Sequence, residues 1–180
     1  MPVIKIVFFH FDSIEYSQAL ADAIQRMVGW PVVVEPIEFD HSYAYHPERH
    51  QYHSSQILLG IKNLIPTDQD KVLAVTDLDL FIPILTFVFG EAQLDGPTAV
   101  ISTFRLRPEY YGLPKNSELV LDRMIKESVH EIGHTFGLVH CWNSGCVLNV
   151  STYVEEIDLK NAEFCPDCKK QLDQAHLKLK

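Results

Sequence analysis

Two histidines and one glutamate lie close together in the stretch SVHEIGHTFGLVHCWNSGC. His130 and His134 are four residues apart, so on a helix both imidazoles lie on one face and can bind the same metal ion. Glu131 is next to His130, close enough to hold a water at that metal without being a ligand itself. The spacing therefore predicts two zinc ligands and a general base.

A glycine and a third histidine complete this pattern. Gly137 lies three residues after His134, where a residue that tolerates a positive φ can end the helix and turn the chain. That turn would bring His140 back towards the metal. Three protein ligands leave a fourth tetrahedral position for water, which distinguishes a catalytic zinc site from a structural one. We therefore predict a catalytic zinc held by His130, His134 and His140.

Four cysteines follow the histidines in a second metal-binding pattern, Cys-x4-Cys and then Cys-x2-Cys: Cys141, Cys146, Cys165 and Cys168. Disulfides or redox use are the alternatives, and both are less favoured in a chain without an export signal. We predict that the four thiolates bind a structural zinc, which makes two zinc ions per chain. Because Cys141 directly follows His140, we expect the two sites to be mechanically coupled.

The predicted zinc site needs a rigid support, and the sequence predicts a long helix for it. Asn116 offers an N-cap and Glu118 an acid in the first turn. The helix continues through Leu121 and Ile125 to the first two histidines. Both imidazoles should therefore project from one rigid element.

Strands and helices alternate before that helix. Apolar runs typical of buried strands extend over 3–9, 32–34 and 71–76. A helix between the first two, capped by Asp12 and Glu15 and ended by Gly29, predicts a parallel strand pair. Another helix of about ten residues should end at Pro66.

A hairpin is predicted after these elements. The segments 85–92 and 99–106 are strand-like, and the turn Asp95-Gly96-Pro97 joins them. Such a hairpin gives the sheet an antiparallel edge strand, which beside a cleft could pair with an extended peptide. An ordinary hairpin without that role is the alternative.

Two further groups of polar residues are compatible with metal binding. Four histidines lie in one aromatic loop, and two carboxylates follow the strand at 71–76: His41, His46, His50 and His53, then Asp77 and Asp79. We favour a solvated or substrate-facing loop for the histidines. For the aspartates we favour turn capping over calcium binding or acid/base catalysis.

Length, composition and charge limit the class of protein. The chain has 180 residues, is 47% hydrophobic and carries a net charge of −9, which suits one domain and disfavours nucleic acid and anionic membranes. We predict a single catalytic domain over 1–180, with an N-terminal subdomain (1–137) and a C-terminal subdomain (138–180). No stretch reads as a membrane span or signal peptide, so we expect a soluble cytoplasmic protein, with a monomer favoured.

The histidine motif followed at once by the four cysteines resembles the archaemetzincins, a branch of the metzincin zinc metalloproteases, over essentially the whole chain. The resemblance implies an α/β (α+β, zincin-like) fold with a twisted mixed sheet, an antiparallel edge strand and backing helices. It also implies an active-site helix and a small zinc-bound C-terminal part. By resemblance, His130, His134 and His140 bind the catalytic zinc, Glu131 is the base, and the four cysteines bind the second zinc.

One position departs from the family pattern. Metzincins place a methionine in a tight turn beneath the catalytic zinc, and the corresponding residue is Leu148. That methionine packs and does not bind metal, and a leucine of similar volume usually costs less than about 1.5 kcal/mol in a core. The departure therefore affects packing more than chemistry.

The leading functional hypothesis is zinc-dependent hydrolysis of peptide bonds in peptides or proteins. A zinc-activated water would attack the carbonyl, with Glu131 as general base. The resemblance also makes aminopeptidase action plausible, although no residue in the sequence marks an amine-binding acid. The alternative is a zinc-stabilised peptide-binding or regulatory protein with little or no turnover. A nucleic-acid-binding zinc ribbon is disfavoured by the acidic charge balance.

Overall fold

The main sheet of the protein has five strands. A computed structural model describes residues 2–12, 14–65 and 69–179. The strands are β1 (Ile4–Phe8), β2 (Val32–Pro36), β5 (Lys71–Thr76), β7 (Gly90–Ala92) and β8 (Thr98–Ser102), in the order β2-β1-β5-β8-β7. The first four in this order are parallel, and β7 is antiparallel to β8 at the edge. The mixed sheet and its antiparallel edge strand are as predicted.

Helices cover both faces of this sheet. Among the described residues they are α1 (Ser17–Val28), α2 (Ser54–Leu64), α3 (Ser117–Thr135), α4 (Val154–Leu159) and α5 (Pro166–Lys178). Successive strand residues point to opposite faces, so Leu73 packs in the core with α1 and α3 whereas Ala74 packs in the core with α2. A sheet buried on both sides explains why its strands are continuously apolar.

The first crossover of the fold agrees with its sequence pattern, except at the start of the helix. Strands β1 and β2 are parallel, and Gly29 ends α1 with φ 83° while its N–H donates to the carbonyl of Gln25 at 2.9 Å. The predicted capping box of Asp12 and Glu15 is wrong. A 3-10 turn over Ile14–Tyr16 precedes α1, and the N-cap is Tyr16, which makes no side-chain cap bond.

The predicted hairpin is present but shorter than expected. Strand β7 covers only the last three residues of the predicted segment, and β8 ends at Ser102, before Leu106. Val88 instead forms an antiparallel bridge with Leu80, outside the main sheet, and its N–H donates to the Leu80 carbonyl at 3.0 Å. Beyond β8 the chain turns, with the Leu106 N–H donating to Thr103, and buries Leu106 in the core.

The histidine-rich loop forms part of a small second sheet. Its strands are β3 (Tyr45–His46), β4 (Gln51–His53) and β6 (Leu80–Phe81), in the order β3-β4-β6. Helix α2 follows β4 directly. Its predicted end at Pro66 lies outside the described residues.

The C-terminal part shares a core with the rest of the chain. Leu148, Ile157 and Leu172 belong to the same buried apolar cluster as Met124 and Ile132 of α3. Arg123 of α3 also makes a two-bonded salt bridge to Asp158 in α4, at 2.7 Å for each bond. Within the described residues, no helix is long and apolar enough to cross a bilayer.

Candidate active site and cysteine cluster

Helix α3 and the turn that follows it bring three histidines together. Asn116 caps the helix, its side chain accepting the Leu119 N–H at 3.0 Å, and the helix carries His130 and His134 near its C-terminal end. Gly137 has φ 84°, and the turn there returns His140 to the same place. Each ring offers one nitrogen that could bind a metal, and these three nitrogens lie within 4.8 Å of one another. The Nε2 atoms of His130 and His134 are 3.1 Å apart.

Backbone carbonyls orient two of these rings. The Nδ1 of His130 lies 2.8 Å from the carbonyl oxygen of Val147, and the Nδ1 of His134 lies 2.7 Å from that of Leu138. Because a carbonyl only accepts hydrogen bonds, both rings carry their proton on Nδ1 and turn the Nε2 lone pair towards the shared centre. This is the tautomer that a metal ligand requires.

The surroundings of the three rings keep them neutral. Burial lowers the pKa of His130 well below its usual value, and it also lowers the pKa of His134 and His140. The positive charge of Lys160 acts in the same direction on all three. Neutral imidazole is the form that binds metal ions, so the site is prepared for one.

Glu131 is buried beside the histidines. Burial raises the pKa of its carboxyl well above the usual value, and the negative charges of Glu127 and Glu91 add to this effect. The charge of Lys160 opposes it. A buried carboxyl group with a raised pKa is a candidate for acid/base catalysis.

The edge strand is in close contact with this glutamate at Gly90. A Cβ at this position would lie 2.8 Å from Cγ of Glu131 and 2.7 Å from the carbonyl oxygen of Val100. Both distances are shorter than real Cβ contacts, so only glycine lets β7 approach α3 this closely. The absent side chain of Gly90 therefore sets the position of Glu131 under the edge of the sheet.

Leu148, at the position where the family pattern has methionine, packs against α3. It is fully buried, and a Cβ on Gly133 of α3 would lie 2.9 Å from its Cδ2. Its carbonyl accepts the N–H of Cys141 at 2.9 Å, next to His140. Leucine thus fills this turn against the helix.

The four cysteines also converge. Cys141, Cys146, Cys165 and Cys168 are free thiols whose Sγ atoms all lie within 4.8 Å of one another. Backbone N–H groups point at two of the sulfurs, Asn143 to Cys141 at 3.5 Å and Cys165 to Cys146 at 3.4 Å. Four such sulfurs, with N–H groups directed at them, match a tetrahedral structural zinc site.

Two cavities adjoin the histidines, on either side of Gly90. One, of about 450 Å³, reaches from the residues before β7 to Glu127 and Lys160. The other, of about 380 Å³, is lined by Glu91, which accepts hydrogen bonds from the hydroxyls of Ser54 and, at 2.7 Å, Ser55. Gly90, His130, Glu131 and His140 line both cavities, so the two cavities meet at the histidines.

The other polar groups singled out in the sequence lie elsewhere. The rings of the loop histidines pack on aromatic neighbours, His41 on Tyr52 and His53 on Phe81. In the described part of the chain, none of them belongs to a group of three or more metal-binding side chains. Asp79 forms an ion pair with Arg105 at 2.7 and 2.8 Å, while Asp77 lies 2.6 Å from Nδ1 of His10 and 3.7 Å from Arg107. Side-chain partners therefore hold both carboxylates, and the predicted turn capping is not their main role.

Four residues around the site were not identified from the sequence: Gly90, Glu91, Glu127 and Lys160. Glu127 had a usable signal, because it lies three residues before His130 and so shares its helical face. No sequence pattern identifies Lys160, because only the fold of the C-terminal segment brings it to α3. There its Nζ lies 3.2 Å from Oε1 of Glu127.

Comparison with known proteins first gives the class, a metallopeptidase. The model of peptidase family M54 matches residues 24–174. An archaemetzincin from Methanocaldococcus jannaschii is 47% identical over 130 residues, which is 72% of this chain and 70% of that protein.

Solved structures agree with the sequence comparison. A zinc-dependent peptidase from Methanocorpusculum labreanum has a TM-score of 0.86 at 29% identity, covering 94% of this chain and 99% of that one. The archaemetzincin from Methanopyrus kandleri has a TM-score of 0.85 at 30% identity, covering 98% and 96%. The chain belongs to peptidase family M54, the archaemetzincins, and is a zinc metallopeptidase.

Replacing Gly90 tests the close contact between β7 and Glu131. We expect Gly90→Ala to lower the free energy of unfolding by about 1–3 kcal/mol, because the new methyl group meets a backbone carbonyl that cannot move freely. Chemical denaturation measures the change. Gly145→Ala is the matched control, since its Cβ would meet nothing closer than 3.4 Å. Equal stability of the two variants would contradict the contact.

Proposed function

We propose that His130, His134 and His140 hold the catalytic zinc and that Glu131 is the general base of peptide hydrolysis. The observation that carries this proposal is the convergence of three neutral imidazoles beside a buried glutamate. The donor set suits zinc, since three nitrogen ligands leave one tetrahedral position for the reaction. When bound, zinc lowers the pKa of water and polarises the carbonyl of the scissile bond.

The residues around the centre divide the remaining work. Glu131 takes the proton of the attacking water on its carboxylate and passes it to the leaving nitrogen. The carbonyls of Leu138 and Val147 hold the histidine rings in place during this exchange. Strand β7 is at the edge of the main sheet and pairs only with β8, so its other edge is available to an extended peptide.

We also propose a second zinc at Cys141, Cys146, Cys165 and Cys168. It would join the chain after the catalytic turn to the N-terminus of α5, so its binding energy would stabilise this part of the fold. The proposal is supported by four free sulfurs at mutual distances that suit one ion. Cys141 is adjacent to His140, so the structural ion would also fix the third histidine.

The setting of the reaction is part of the proposal. Four converging thiols that form no disulfide suit a reducing compartment, so we propose a cytoplasmic enzyme. The net charge of −9 favours peptides over nucleic acids as partners. We propose that the enzyme acts as a monomer.

For the mode of cleavage, we propose aminopeptidase action with Glu91 as the acid that receives the free amine. Glu91 lines the second cavity beside the histidines, and its carboxylate is held in place by the hydroxyls of Ser54 and Ser55. A carboxylate that is held in place and lines the same cavity as the histidines can form a charge-assisted hydrogen bond with an N-terminal ammonium group.

Removing the carboxyl of Glu131 tests the base. We expect Glu131→Ala to keep its zinc and to lose about 10²-fold or more in kcat, because proton transfer by a positioned group contributes at least that factor. Zinc content and peptide hydrolysis are measured on the same samples. Glu118→Ala, at an exposed position in the first turn of α3, is the control. Activity that survives in Glu131→Ala would refute the assignment, and a wild-type enzyme that binds peptides without cleaving any would support the binding-protein alternative.

Metal analysis tests the two-zinc arrangement. We expect two zinc ions per chain, and we expect Cys141→Ala to lose the structural ion and to weaken the catalytic ion by about 10-fold, because His140 loses its anchored neighbour. Competition with a chelator measures the second effect. Cys168→Ala should weaken the catalytic ion in the same way, because it also releases the structural ion, and the exposed Glu118→Ala is the control. Unchanged affinity of the catalytic ion in Cys141→Ala would show that the sites are independent.

Peptides with free and acetylated N-termini test the role of Glu91. For free peptides we expect Glu91→Gln to lower kcat/KM by about 10-fold or more, because a hydrogen bond between charged groups is lost. Acetylated peptides serve as the internal control and should respond little. An equal loss on both kinds of peptide would argue against amine binding by Glu91.

A further inference from the structure

The cavity of about 450 Å³ beside the histidines has a largely apolar lining. It is bounded by His130, Glu131 and His140, and its apolar residues are Leu85, Phe87, Val88, Phe89 and Val150. Its polar lining away from the histidines includes Glu127, Ser151 and Lys160. A cavity with apolar walls and a few buried polar groups is the usual form of a specificity pocket.

Lys160 has one unused donor in this cavity. Its side chain is 1% exposed, and its Nζ contacts the carbonyl oxygen of Asn149 at 3.2 Å and Oε1 of Glu127 at 3.2 Å. An ammonium group has three N–H donors. The third has no acceptor among the described residues, so a group that enters the cavity can receive it.

Acceptors that can take a further hydrogen bond line the same cavity. Oε1 of Glu127 is fully buried and pairs with Lys160 at 3.2 Å, and a carboxylate oxygen has a second lone pair that can accept another hydrogen bond. The hydroxyl oxygen of Ser151 is also buried and has no hydrogen-bond partner within the described ranges. Buried polar atoms of this kind cost free energy until a partner arrives, so the bound side chain should provide one.

The charge balance of the cavity selects among possible side chains. Glu127 and Lys160 together are neutral. An acidic side chain would add negative charge beside Glu127, and a basic one would add positive charge beside Lys160. An apolar side chain would leave both the donor and the acceptor unpaired. A carboxamide is neutral, and it accepts through its oxygen and donates through its nitrogen.

We propose that this cavity selects glutamine or asparagine on the C-terminal side of the scissile bond. The proposal rests on the peptidase function proposed above. An extended peptide paired antiparallel to β7, the more frequent pairing, directs its C-terminal part towards the residues that precede β7. Of those residues, Thr86, Phe87 and Phe89 line this cavity and not the other, whereas Glu91 lines the cavity towards the N-terminal part of such a peptide.

Matched peptides test this selectivity on the zinc-loaded enzyme. Four peptides with free N-termini differ only in the residue after the scissile bond, which is glutamine, leucine, glutamate or lysine. Mass spectrometry locates the cleaved bond, and progress curves give kcat/KM. We expect glutamine to exceed leucine by about 10-fold, with glutamate and lysine lower still, because a site built for hydrogen bonds discriminates against groups that cannot form them. Equal rates, or a preference for any of the other three, would overturn the proposal.

Variants of the Glu127–Lys160 pair test whether this pair causes the glutamine preference. The double change Glu127→Leu with Lys160→Met should reduce the glutamine-to-leucine ratio to about 1 or below, since the donor and acceptor are both gone. Lys126→Met is the control: this lysine of α3 is also buried and paired, with Asp122 at 2.7 Å, but does not line the cavity. It should keep the ratio of the wild type.

A second double variant tests the same idea if the first one folds poorly. The exchange Glu127→Lys with Lys160→Glu preserves one donor and one acceptor, and a carboxamide can rotate to meet them, so the glutamine preference should persist. A ratio that survives the apolar double change, or that disappears in the exchanged pair, would contradict the inference. Cleavage of none of the peptides by the wild-type enzyme would contradict the peptidase proposal itself.

Discussion

The site depends on one set of interactions, the hydrogen bonds from imidazole Nδ1 atoms to backbone carbonyls beyond the end of α3. The carbonyls of Leu138 and Val147 belong to the segment that folds back under the helix after Gly137. They decide which nitrogen of His130 and His134 carries the proton and therefore which nitrogen can meet a metal. Without that segment, the spacing of the two histidines would place their rings on one face but would not orient them.

Several packing features serve to hold this segment. Leu148 lies against Gly133, and its carbonyl accepts the N–H of Cys141. The cysteine cluster then connects the turn to the start of α5, while Arg123 connects α3 to α4 through Asp158. The substitution of leucine for the family methionine is tolerable in this setting, because the position requires volume and a backbone carbonyl, and no sulfur is needed.

Charges of both signs lie near the three histidines. Burial and the negative charges of Glu127 and Glu91 raise the pKa of Glu131, and the positive charge of Lys160 limits this increase. The same lysine discourages protonation of all three histidines. One buried cation thus affects both Glu131 and the three histidines, although it lies twenty or more residues after them in the chain.

The sequence alone determined the elements whose cause is local. The spacing from His130 to His140, the cap at Asn116, the positive φ at Gly137 and the apolar strands follow from periodicity and conformational preference. Local pattern was insufficient where a distant partner decided the outcome. Val88 left the main sheet to bridge Leu80, and Tyr16 replaced the predicted cap of α1.

Only the tertiary structure decided how the site is completed. Gly90 matters because another strand and a helix meet there, and Glu91, Glu127 and Lys160 matter because folding places them at the two cavities. The spacing of the three histidines is visible in the sequence because they share one helix and the turn that follows it. The two cavities are lined by segments that are far apart in the chain, so the residues that meet in them are known only once those segments have packed together.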